Sequence, residues 1–537
     1  MMAAKKKQRL SSWRGWRSLR HFVYAAPFYP LTLRGAAFKS LRALPPDPWP
    51  GDMAAAKAIL SGGLAFTGPE KDPGKDAESV AALHGFNWLS DLCKLESQAA
   101  RARAQELVDD WIKAHGSWSE TSWRADVLGG RLSNWCSTCE FLLAGGNADF
   151  KGRFLKSISA QARHLGRAVG SPPRDSRAFQ AIKGLVHCGV CLPENEGALE
   201  TGLGLLGQEI ERQILPDGGH FQRNPSLLLG VMRHLVDIRD ALHAAQVEAP
   251  AFLQGAMDRM APMLRGLRLG DGGLALFNGG GEEGRQFIDQ VLAQAGAKGK
   301  ALSNAPHTGF QRINAGRTTL IIDTGAPQSA EAAENAHAGA LSFEMSAGKA
   351  RLIVNCGAPS SGDPAWRAAA RATAAHSTVC VDGACSSDFL PARDPPKVSC
   401  ARRQAEGNVW LETVHEGYKE SFGLTHERKF YLDSSGADFR GEDVLTGFGG
   451  KNFVLRFHLH PQVQASLAGD GASVLLKPPA GAGWRFHAAG GAVAIEESVY
   501  MGRPGPVRRC EQITVSGPLS GSGAKVKWAL RRQDRRG

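Results

Sequence analysis

Residues 296–307, GAKGKALSNAPH, mark the point at which the hydrophobic pattern of the chain changes. Before them, from about residue 50, apolar residues recur at three- and four-residue steps in runs such as Ala99–His115 and Arg177–Val190, which predicts helices with short connections. After them, short runs such as Phe453–His460 alternate apolar and polar residues, which predicts closely spaced strands. Helices followed by strands are typical of an α-helical domain followed by an antiparallel β-sandwich.

The length and composition of the chain indicate a globular protein of several domains. Its 537 residues are enough for about two to four domains of ordinary size. Hydrophobic residues make up 43% and charged residues 22% of the sequence, which excludes a disordered or fibrous protein. We predict a basic N-terminal segment over residues 1–45, an α-helical domain over residues 46–300 and a β-sandwich domain over residues 301–537.

The charge of the chain is concentrated at its two ends. The formal net charge is +12, but residues 1–42 carry ten Lys or Arg and no acidic residue, and residues 525–537 carry six basic residues and one acidic residue. The part between the ends is therefore close to neutral. We expect no nucleic-acid partner, because nucleic-acid binding needs a basic surface on the folded domain.

Near the N-terminus, apolar residues recur with a helical period from Leu10 to Val23, and Arg14, Arg17 and Arg20 fall between them. This pattern predicts a basic amphipathic helix, which either lies on an anionic membrane surface or packs on its own domain. Two prolines break the apolar stretch that follows, and no clear cleavage site comes after it, so the segment does not resemble a secretory signal. We expect a cytoplasmic protein in contact with the inner membrane, with the periplasm or cell envelope as the alternative.

The segment Asp217–Pro225, DGGHFQRNP, combines a tight turn with the start of a helix. Asp-Gly-Gly favours a turn, Asn224 is a good N-cap residue, and Pro225 suits the first helical turn. His220 and Arg223 then lie in a loop just before a helix, where free backbone N–H groups favour an anion. The alternative is an ordinary loop with polar surface residues.

Histidines are frequent in the strand-rich half. His337 and His376 each precede a predicted strand, and Asn355 ends another, so these three residues could converge on a metal ion. His458 and His460 share one face of a predicted strand, and we expect that face to be exposed to solvent.

Two CxxC pairs, Cys136/Cys139 and Cys188/Cys191, fall on or at the end of predicted helices. The 48 residues between the pairs are unlike the spacing of a compact zinc ribbon. Because a three-residue step places each pair on one helical face, where cysteine behaves as a small apolar residue, we expect both pairs to pack in the core.

Taken together, several motifs resemble those of the heparinase II/III-like family of polysaccharide lyases, over most of the chain from about residue 45. These motifs are residues 131–135 (RLSNW), 217–225 (DGGHFQRNP), 276–278 (LFN), 337–343 (HAGALSF), 353–357 (IVNCG) and 375–378 (AHST). The resemblance implies an incomplete (α/α) toroid joined to a β-sandwich, with the substrate groove between them. It also implies β-elimination at a uronic acid.

The implied reaction removes the proton at C5 of the uronate, so it needs a base, an acid and a group that neutralises the carboxylate. The family usually carries an Asn-His pair on a toroid helix and a Tyr after the Arg-x-Pro element. The corresponding positions here read Ser176-Arg177 and Ser226-Leu227-Leu228. The catalytic residues that we predict are therefore His220 as the base, Arg223 and Arg177 as carboxylate-binding residues, and Tyr418 as the replacement phenol.

The same motifs imply binding residues and a metal ion. The implied substrate-binding residues are Asn134, Trp135, Asn224 and Asn278. The implied ligands of one divalent metal, zinc, are His337, His376 and Asn355, the last standing where the family has an Asp.

Three functions follow from these observations. The first is a lyase that cleaves an acidic, uronate-containing polysaccharide, either heparan-like or a bacterial exopolysaccharide. The second is a non-catalytic glycan-binding protein on the same fold, because a fold does not guarantee a chemistry. The third is an envelope-assembly factor that the basic N-terminus holds at a membrane.

Overall fold

A computed structural model of the chain describes residues 20–35, 38–66, 77–145, 147–170, 175–193, 195–326, 335–359, 363–387 and 395–533. Residue contacts divide these residues into two compact units. The first unit contains the residues up to Ile210 together with Arg233–Leu253, and the second contains Glu211–Met232 together with the residues from Gln254 onward. The second unit therefore includes helical residues that precede the change of pattern at residues 296–307.

Helices dominate the chain as far as residue 294. Residues 20–25 are helical, although most of the amphipathic helix predicted from Leu10 lies outside the described residues. The helices that follow are α1 (Tyr29–Thr32), α2 (Met53–Leu60), α3 (Ala77–His84), α4 (Trp88–Cys93), α5 (Gln98–His115), α6 (Ala125–Ser137), α7 (Cys139–Leu143), α8 (Ala148–Ala168), α9 (Arg177–Cys191), α10 (Glu196–Gln213), α11 (Pro225–Ala244), α12 (Ala251–Gly266) and α13 (Arg285–Gln294). No helix among the described residues is long and apolar enough to span a bilayer.

Helices α6 and α9 form the closest helix pair of the first unit. Their backbones touch because glycines occupy the contact: a Cβ atom on Gly184 would lie only 2.3 Å from the Cα atom of Gly129. Almost every residue of α9 from Ala178 to Cys191 is buried. Both CxxC pairs are buried as well, as the packing interpretation predicts.

Strands occupy most of the chain after residue 303. They are β1 (Asn304–Ala305), β2 (Phe310–Ala315), β3 (Thr318–Asp323), β4 (Phe343–Ala347), β5 (Ala350–Val354), β6 (Val379–Val381), β7 (Val398–Ala405), β8 (Asn408–His415), β9 (Thr425–Leu432), β10 (Asp438–Thr446), β11 (Asn452–Leu459), β12 (Gln464–Leu467), β13 (Ser473–Lys477), β14 (Trp484–Ala489), β15 (Ala492–Tyr500), β16 (Arg508–Pro518) and β17 (Gly523–Arg532). Two short helices, α14 (Pro364–Arg371) and α15 (Lys419–Phe422), interrupt them.

The described strands form two antiparallel sheets. One has the order β1-β2-β3-β4-β5-β11-β16-β15, with β6 also paired to β11, and the other has the order β12-β13-β14-β17-β10-β9-β8-β7. Phe343 of the first sheet stacks on Trp528 of the second, with ring centroids 5.7 Å apart. The two sheets therefore pack face to face around one apolar core, which is the predicted β-sandwich.

The outward faces of the central strands are more buried than the sequence indicates. In β4, Phe343 and Met345 enter the core, but Glu344 and Ser346 between them are also fully buried. In β11, His458 is 2% exposed and His460 just beyond it is 4% exposed, so the prediction of a solvated face is wrong. Alternation identifies the two faces of a strand, but it does not show whether other segments cover the polar face.

Candidate functional site

The loop before α11 is built around the turn at Gly218. Gly218 has a φ of +82°, and a Cβ atom there would lie 1.9 Å from the carbonyl oxygen of Arg259. The carboxylate of Asp217 accepts hydrogen bonds from the backbone N–H groups of His307 and Thr308 at 2.9 and 2.7 Å. The turn thus fixes the loop against the start of the strand region within the second unit.

Asn224 caps α11 as the sequence predicts. Its Oδ1 atom accepts hydrogen bonds from the backbone N–H groups of Ser226 and Leu227 at 2.8 and 3.1 Å. Its amide nitrogen donates to the carbonyl oxygen of Asn278 at 2.8 Å. The side chain is 5% exposed, so the structure shows a capping and linking role for this predicted substrate-binding residue.

His220 is enclosed within the loop and is 1% exposed. Its Nδ1 atom accepts a hydrogen bond from the backbone N–H of Gln222 at 3.2 Å. A neutral imidazole that accepts at Nδ1 carries its proton at Nε2, which then donates to Oε1 of Gln213 at 2.9 Å. Both ring nitrogens are therefore occupied, and the role of general base stays a prediction that would need this residue to rearrange.

Arg223 is a buried structural cation. Its guanidinium forms an ion pair with Asp323 and donates to the carbonyl oxygen of Thr308 at 2.7 Å and to that of Ala326 at 3.1 Å. It also lies over the ring of Phe310, 5.0 Å from the centroid. Since these groups surround a side chain that is 6% exposed, Arg223 already holds a carboxylate that belongs to the chain itself.

Asn278 joins this loop to the strand region. Its amide nitrogen donates to the carbonyl oxygen of Arg223 at 3.1 Å, and its Oδ1 atom accepts from the backbone N–H of His337 at 3.2 Å. Asn278 has a φ of +49°, a conformation that Asn tolerates better than most residues. The structure thus brings together three of the sequence motifs, those at Asn224, Asn278 and His337.

His337 and His376 form a buried pair of aromatic rings, with centroids 5.2 Å apart. Within the described residues, Nδ1 of His337 and both ring nitrogens of His376 lack a hydrogen-bond partner. Burial lowers the pKa of His376 to about 4 and holds the pKa of His337 well below its usual range. Both imidazoles are therefore neutral at pH 7, which is the form that binds a metal ion.

Asn355, the third predicted ligand, is committed to other contacts. Its Oδ1 atom accepts from the backbone N–H of Ser377 at 3.0 Å, and its amide nitrogen donates to the carbonyl oxygen of Leu276 at 3.2 Å. The next residue, Cys356, lies against His458, with Sγ and Nδ1 3.5 Å apart, and burial raises the pKa of its thiol to about 12.

The donor set around the histidine pair does not fit a zinc centre of the predicted kind. No group of three or more His, Cys, Asp or Glu side chains that could hold a metal occurs in the described part of the chain. Structural zinc takes four ligands and catalytic zinc takes three, whereas the pair offers two imidazoles. The zinc ion stays a prediction that these contacts do not support.

The two remaining predicted catalytic residues also interact with other groups of the chain. Arg177, in the first unit, binds Asp175 at 2.6 Å, and Glu78 lies 3.8 Å away. Tyr418, in the second unit, is fully buried and donates to the carbonyl oxygen of Val379 at 2.8 Å. Burial raises the pKa of Tyr418 well above its usual range, so the phenol stays protonated.

Of the two predicted binding residues of the helical part, Trp135 is buried and Asn134 is half-buried. Trp135 is fully buried, and its ring meets those of Phe86 and Trp111 edge-on at 5.3 and 5.6 Å. The amide nitrogen of Asn134 donates to the carbonyl oxygen of Gly85 at 2.8 Å. These contacts give the RLSNW motif a packing role.

A buried network around Glu282 is not predicted by the sequence. Tyr500 donates a hydrogen bond to Glu282, Arg503 donates to it at 2.7 Å, and Nε2 of His460 lies 3.5 Å from its Oε1 atom. Burial alone would raise the pKa of Glu282, but these contacts, together with the charge of Arg351, lower it to about 2. No motif spacing connects these residues, because they meet only when distant segments pack together.

The order of helices and sheets defines a helical toroid followed by a β-sandwich. Models of the Heparinase II/III N-terminus and of the Heparinase II/III-like C-terminal domain match residues 69–294 and 297–529. The chain therefore belongs to the heparinase II/III-like family, which confirms the resemblance read from its motifs.

Individual relatives are of two kinds. FtsZ-localized protein C of Caulobacter vibrioides is 33% identical over 526 residues, which is 92% of this chain and 90% of that protein. Solved structures share the fold at low identity. A heparinase III has a TM-score of 0.72 and 14% identity over 97% of this chain and 91% of that one. The heparan sulfate lyase HepC of Pedobacter heparinus has a TM-score of 0.64 and 16% identity over 91% of this chain and 85% of that one.

Proposed function

We propose that this chain is a non-catalytic member of the heparinase II/III-like family that serves as an assembly protein at the site of cell division. The observation that carries the proposal is the state of the four predicted catalytic side chains. His220, Arg223, Arg177 and Tyr418 are each held by hydrogen bonds or ion pairs from the chain itself. General acid–base chemistry needs groups within hydrogen-bond reach of the substrate, and each of these four would have to give up its internal partners to act on one.

The relative from Caulobacter supports the assembly role. Its name places it with FtsZ, and the alignment extends over nearly the full length of both chains. Such an identity is far higher than the 14–16% found with the heparinase structures. A cytoplasmic location at the inner membrane, as the sequence predicts, is part of the same proposal.

Two measurements test this function. The purified chain is incubated with heparan sulfate and a panel of other uronate-containing polysaccharides, and near-ultraviolet absorbance is followed, because a lyase produces an unsaturated uronate. We expect no increase, and a fluorescent fusion should coincide with labelled FtsZ in the same cells. An absorbance increase that tracks enzyme concentration, or a fusion spread evenly through the cell, would contradict the proposal.

The described N-terminal residues support contact with a membrane surface. Tyr29 packs into a small core with Leu33 and Trp123, whereas Phe22 is 77% exposed and Phe28 is 61% exposed. The segment therefore anchors on the helical unit by one side and presents aromatic rings on the other. Together with the ten basic residues of the first 42, such a surface suits an anionic bilayer.

Vesicle co-sedimentation tests this contact. We expect the chain to bind vesicles rich in anionic lipid and to bind neutral vesicles several-fold less. Phe22→Ser with Phe28→Ser should reduce the bound fraction several-fold, and Phe448→Ser, which removes a 90% exposed ring elsewhere, should leave it unchanged. Equal binding by both variants would refute the membrane role of the N-terminal rings.

The second candidate is lyase activity on an acidic polysaccharide, favoured by the match of both family models. It would require Arg223 or Arg177 to exchange its internal carboxylate for that of a uronate. In that case Arg177→Lys should weaken binding more than turnover, because lysine cannot make a bidentate contact. The absorbance assay described above decides between the two functions.

A further inference from the structure

Each of the two described sheets of the sandwich ends in one short strand and one long strand. The first sheet runs from β1, of two residues, to β15, of nine, and the second runs from β12, of four residues, to β7, of eight. The outer side of an end strand carries backbone N–H and C=O groups that its own sheet does not pair. A long edge of this kind is able to pair with a strand of another molecule, and folded proteins usually shorten or cover it.

The two long edges, called here the β7 edge and the β15 edge, lie on opposite sides of the sandwich. The guanidinium of Arg402, on β7, donates to the carbonyl oxygens of Ser303 and Arg312 at 2.8 and 3.1 Å, which places β7 beside β1 and β2. On the other side, β12 packs beside β15. The two long edges of one copy are therefore too far apart to pair with each other, whereas those of two different copies can meet.

The β7 edge and the β15 edge carry opposite charge. Residues 397–405, KVSCARRQA, which contain β7, include three basic residues and no acidic residue. β15, AVAIEESVY, includes two acidic residues and no basic residue. Like charges that face each other destabilise a strand pair, and opposite charges stabilise it. The charges therefore disfavour pairing of two β7 edges or of two β15 edges, and they favour pairing of a β7 edge with a β15 edge.

Arg403 and Glu497 are the charged residues of these edges that are best placed for such pairing. Both are exposed, and neither forms an ion pair within the part of the chain that the structure describes. The guanidinium of Arg403 lies over the ring of Trp410, its cross-strand neighbour on β8, 4.6 Å from the centroid. By contrast, the carboxylate of Glu496 already lies 3.6 Å from the guanidinium of Arg456.

We propose that copies of this chain associate head to tail, with the β7 edge of one copy paired to the β15 edge of the next and Arg403 facing Glu497 across the junction. The pairing joins the second sheet of one copy to the first sheet of the other. Because the two surfaces of this contact differ, association continues into rings or open chains and does not stop at a symmetric dimer. The contact lies outside the candidate site, and the inference does not depend on the proposed function.

Sedimentation velocity of the full-length chain tests the proposal. We expect the weight-average mass of the wild type to rise above the monomer mass between about 1 and about 100 μM, the range of a weak to moderate association. The rise should be smaller at high salt, because salt screens the attraction between exposed charges.

Charge reversal on either edge should weaken the association. Arg403→Glu and Glu497→Arg each place like charges across the junction, so we expect each variant to lower the association constant about tenfold. In an equimolar mixture, junctions between the two variants again have opposite charges, so the mixture should associate like the wild type. The matched control is Arg440→Glu, which changes the net charge equally and removes a guanidinium that lies over Tyr431, on the central strand β10. It should associate like the wild type.

Any of four results would overturn the inference. These are a wild type that stays monomeric up to about 100 μM, an Arg403→Glu variant that associates like the wild type, equal weakening by Arg440→Glu, and a mixture of the two edge variants that associates no better than either alone. Circular dichroism confirms the fold of each variant. If one edge variant fails to fold, the concentration series of the wild type and the variant on the other edge still decide the question.

Discussion

Two neighbouring polar clusters of the second unit differ in how completely their hydrogen bonds are made. Around Arg223, a buried cation meets Asp323 and several carbonyl oxygens. Around His376, both ring nitrogens lack a partner among the described residues. Asn278 connects the two clusters, since it bonds the carbonyl of Arg223 and the N–H of His337. Motif residues of one family are therefore fully bonded in the Arg223 cluster and keep unpaired ring nitrogens in the His376 cluster.

The largest effect should come from breaking the saturated cluster. Arg223→Met leaves Asp323 as a buried carboxylate without its cation, so we expect the free energy of unfolding to fall by about 3–5 kcal/mol. Denaturant unfolding of the variant and the wild type measures this difference in the free energy of unfolding. The double variant Arg223→Met with Asp323→Leu should recover much of the loss, and Arg440→Met, at an exposed pair with Asp438, should cost less than about 1 kcal/mol. Equal losses of the free energy of unfolding in the Arg223 and Arg440 variants would contradict the expected difference between a buried and an exposed ion pair.

The buried histidine pair should make the free energy of unfolding depend on pH. His376 has a pKa of about 4 in the folded chain against about 6.5 when unfolded, so the unfolded chain takes up the proton first as pH falls. Its contribution to stability is thus retained above pH 6.5 and lost between about 6.5 and 4, amounting to about 2 kcal/mol at pH 5. Unfolding at pH 7.5 and pH 5 should show this loss in wild type. A His376→Leu variant with the same pH dependence would contradict the assignment.

A smaller effect is expected at the cap of α11. Asn224→Ala removes the cap of two backbone N–H groups, and we expect a loss of about 1 kcal/mol in the free energy of unfolding. Asn224→Asp keeps the capping oxygen and loses only the amide bond to Asn278, so it should cost less. If both variants lose the same free energy of unfolding, the stabilisation comes from the hydrogen bond to Asn278 and not from the cap.

The smallest effect should come from removing an unpaired group. His376→Leu deletes two ring nitrogens without partners, so at pH 7.5 we expect a change of less than about 1 kcal/mol in the free energy of unfolding. Metal analysis of the wild type should give less than one equivalent of zinc. A stoichiometric zinc ion, lost in His337→Ala, would instead show that the pair binds metal and would remove the contrast with Arg223.

Much of the architecture could be predicted because local pattern and local structure coincide. The run Arg177–Val190 predicted α9 nearly to its ends, and the Asn224–Pro225 pair predicted the start of α11. The edges of the sandwich were harder. The side chains of β7 are mostly exposed, so its sequence shows little hydrophobic alternation. It is recognised as a strand only because its backbone pairs with that of β8.

The candidate site could be predicted only in part. The motifs at Asn224, Asn278 and His337 do meet, as their shared family pattern indicates. The partners of His220 and Arg223 could not be foreseen, because Gln213, Thr308 and Asp323 are separated from them by turns or whole strands. The exposure of His458 was predicted wrongly for the same reason, since Ala374 and Ser498 come from distant segments to cover it.

The order of helices and strands, the family and the residue types available for chemistry all follow from the amino-acid sequence. These depend on hydrophobic period, turn residues and short motifs, which act over a few neighbouring positions. Which of those side chains can bind a ligand depends instead on contacts between segments that are distant in the sequence. Whether an arginine can hold a substrate carboxylate depends on whether a distant Asp323 already holds it, and how closely α6 and α9 pack depends on Gly129 and Gly184, which come together only in the folded chain.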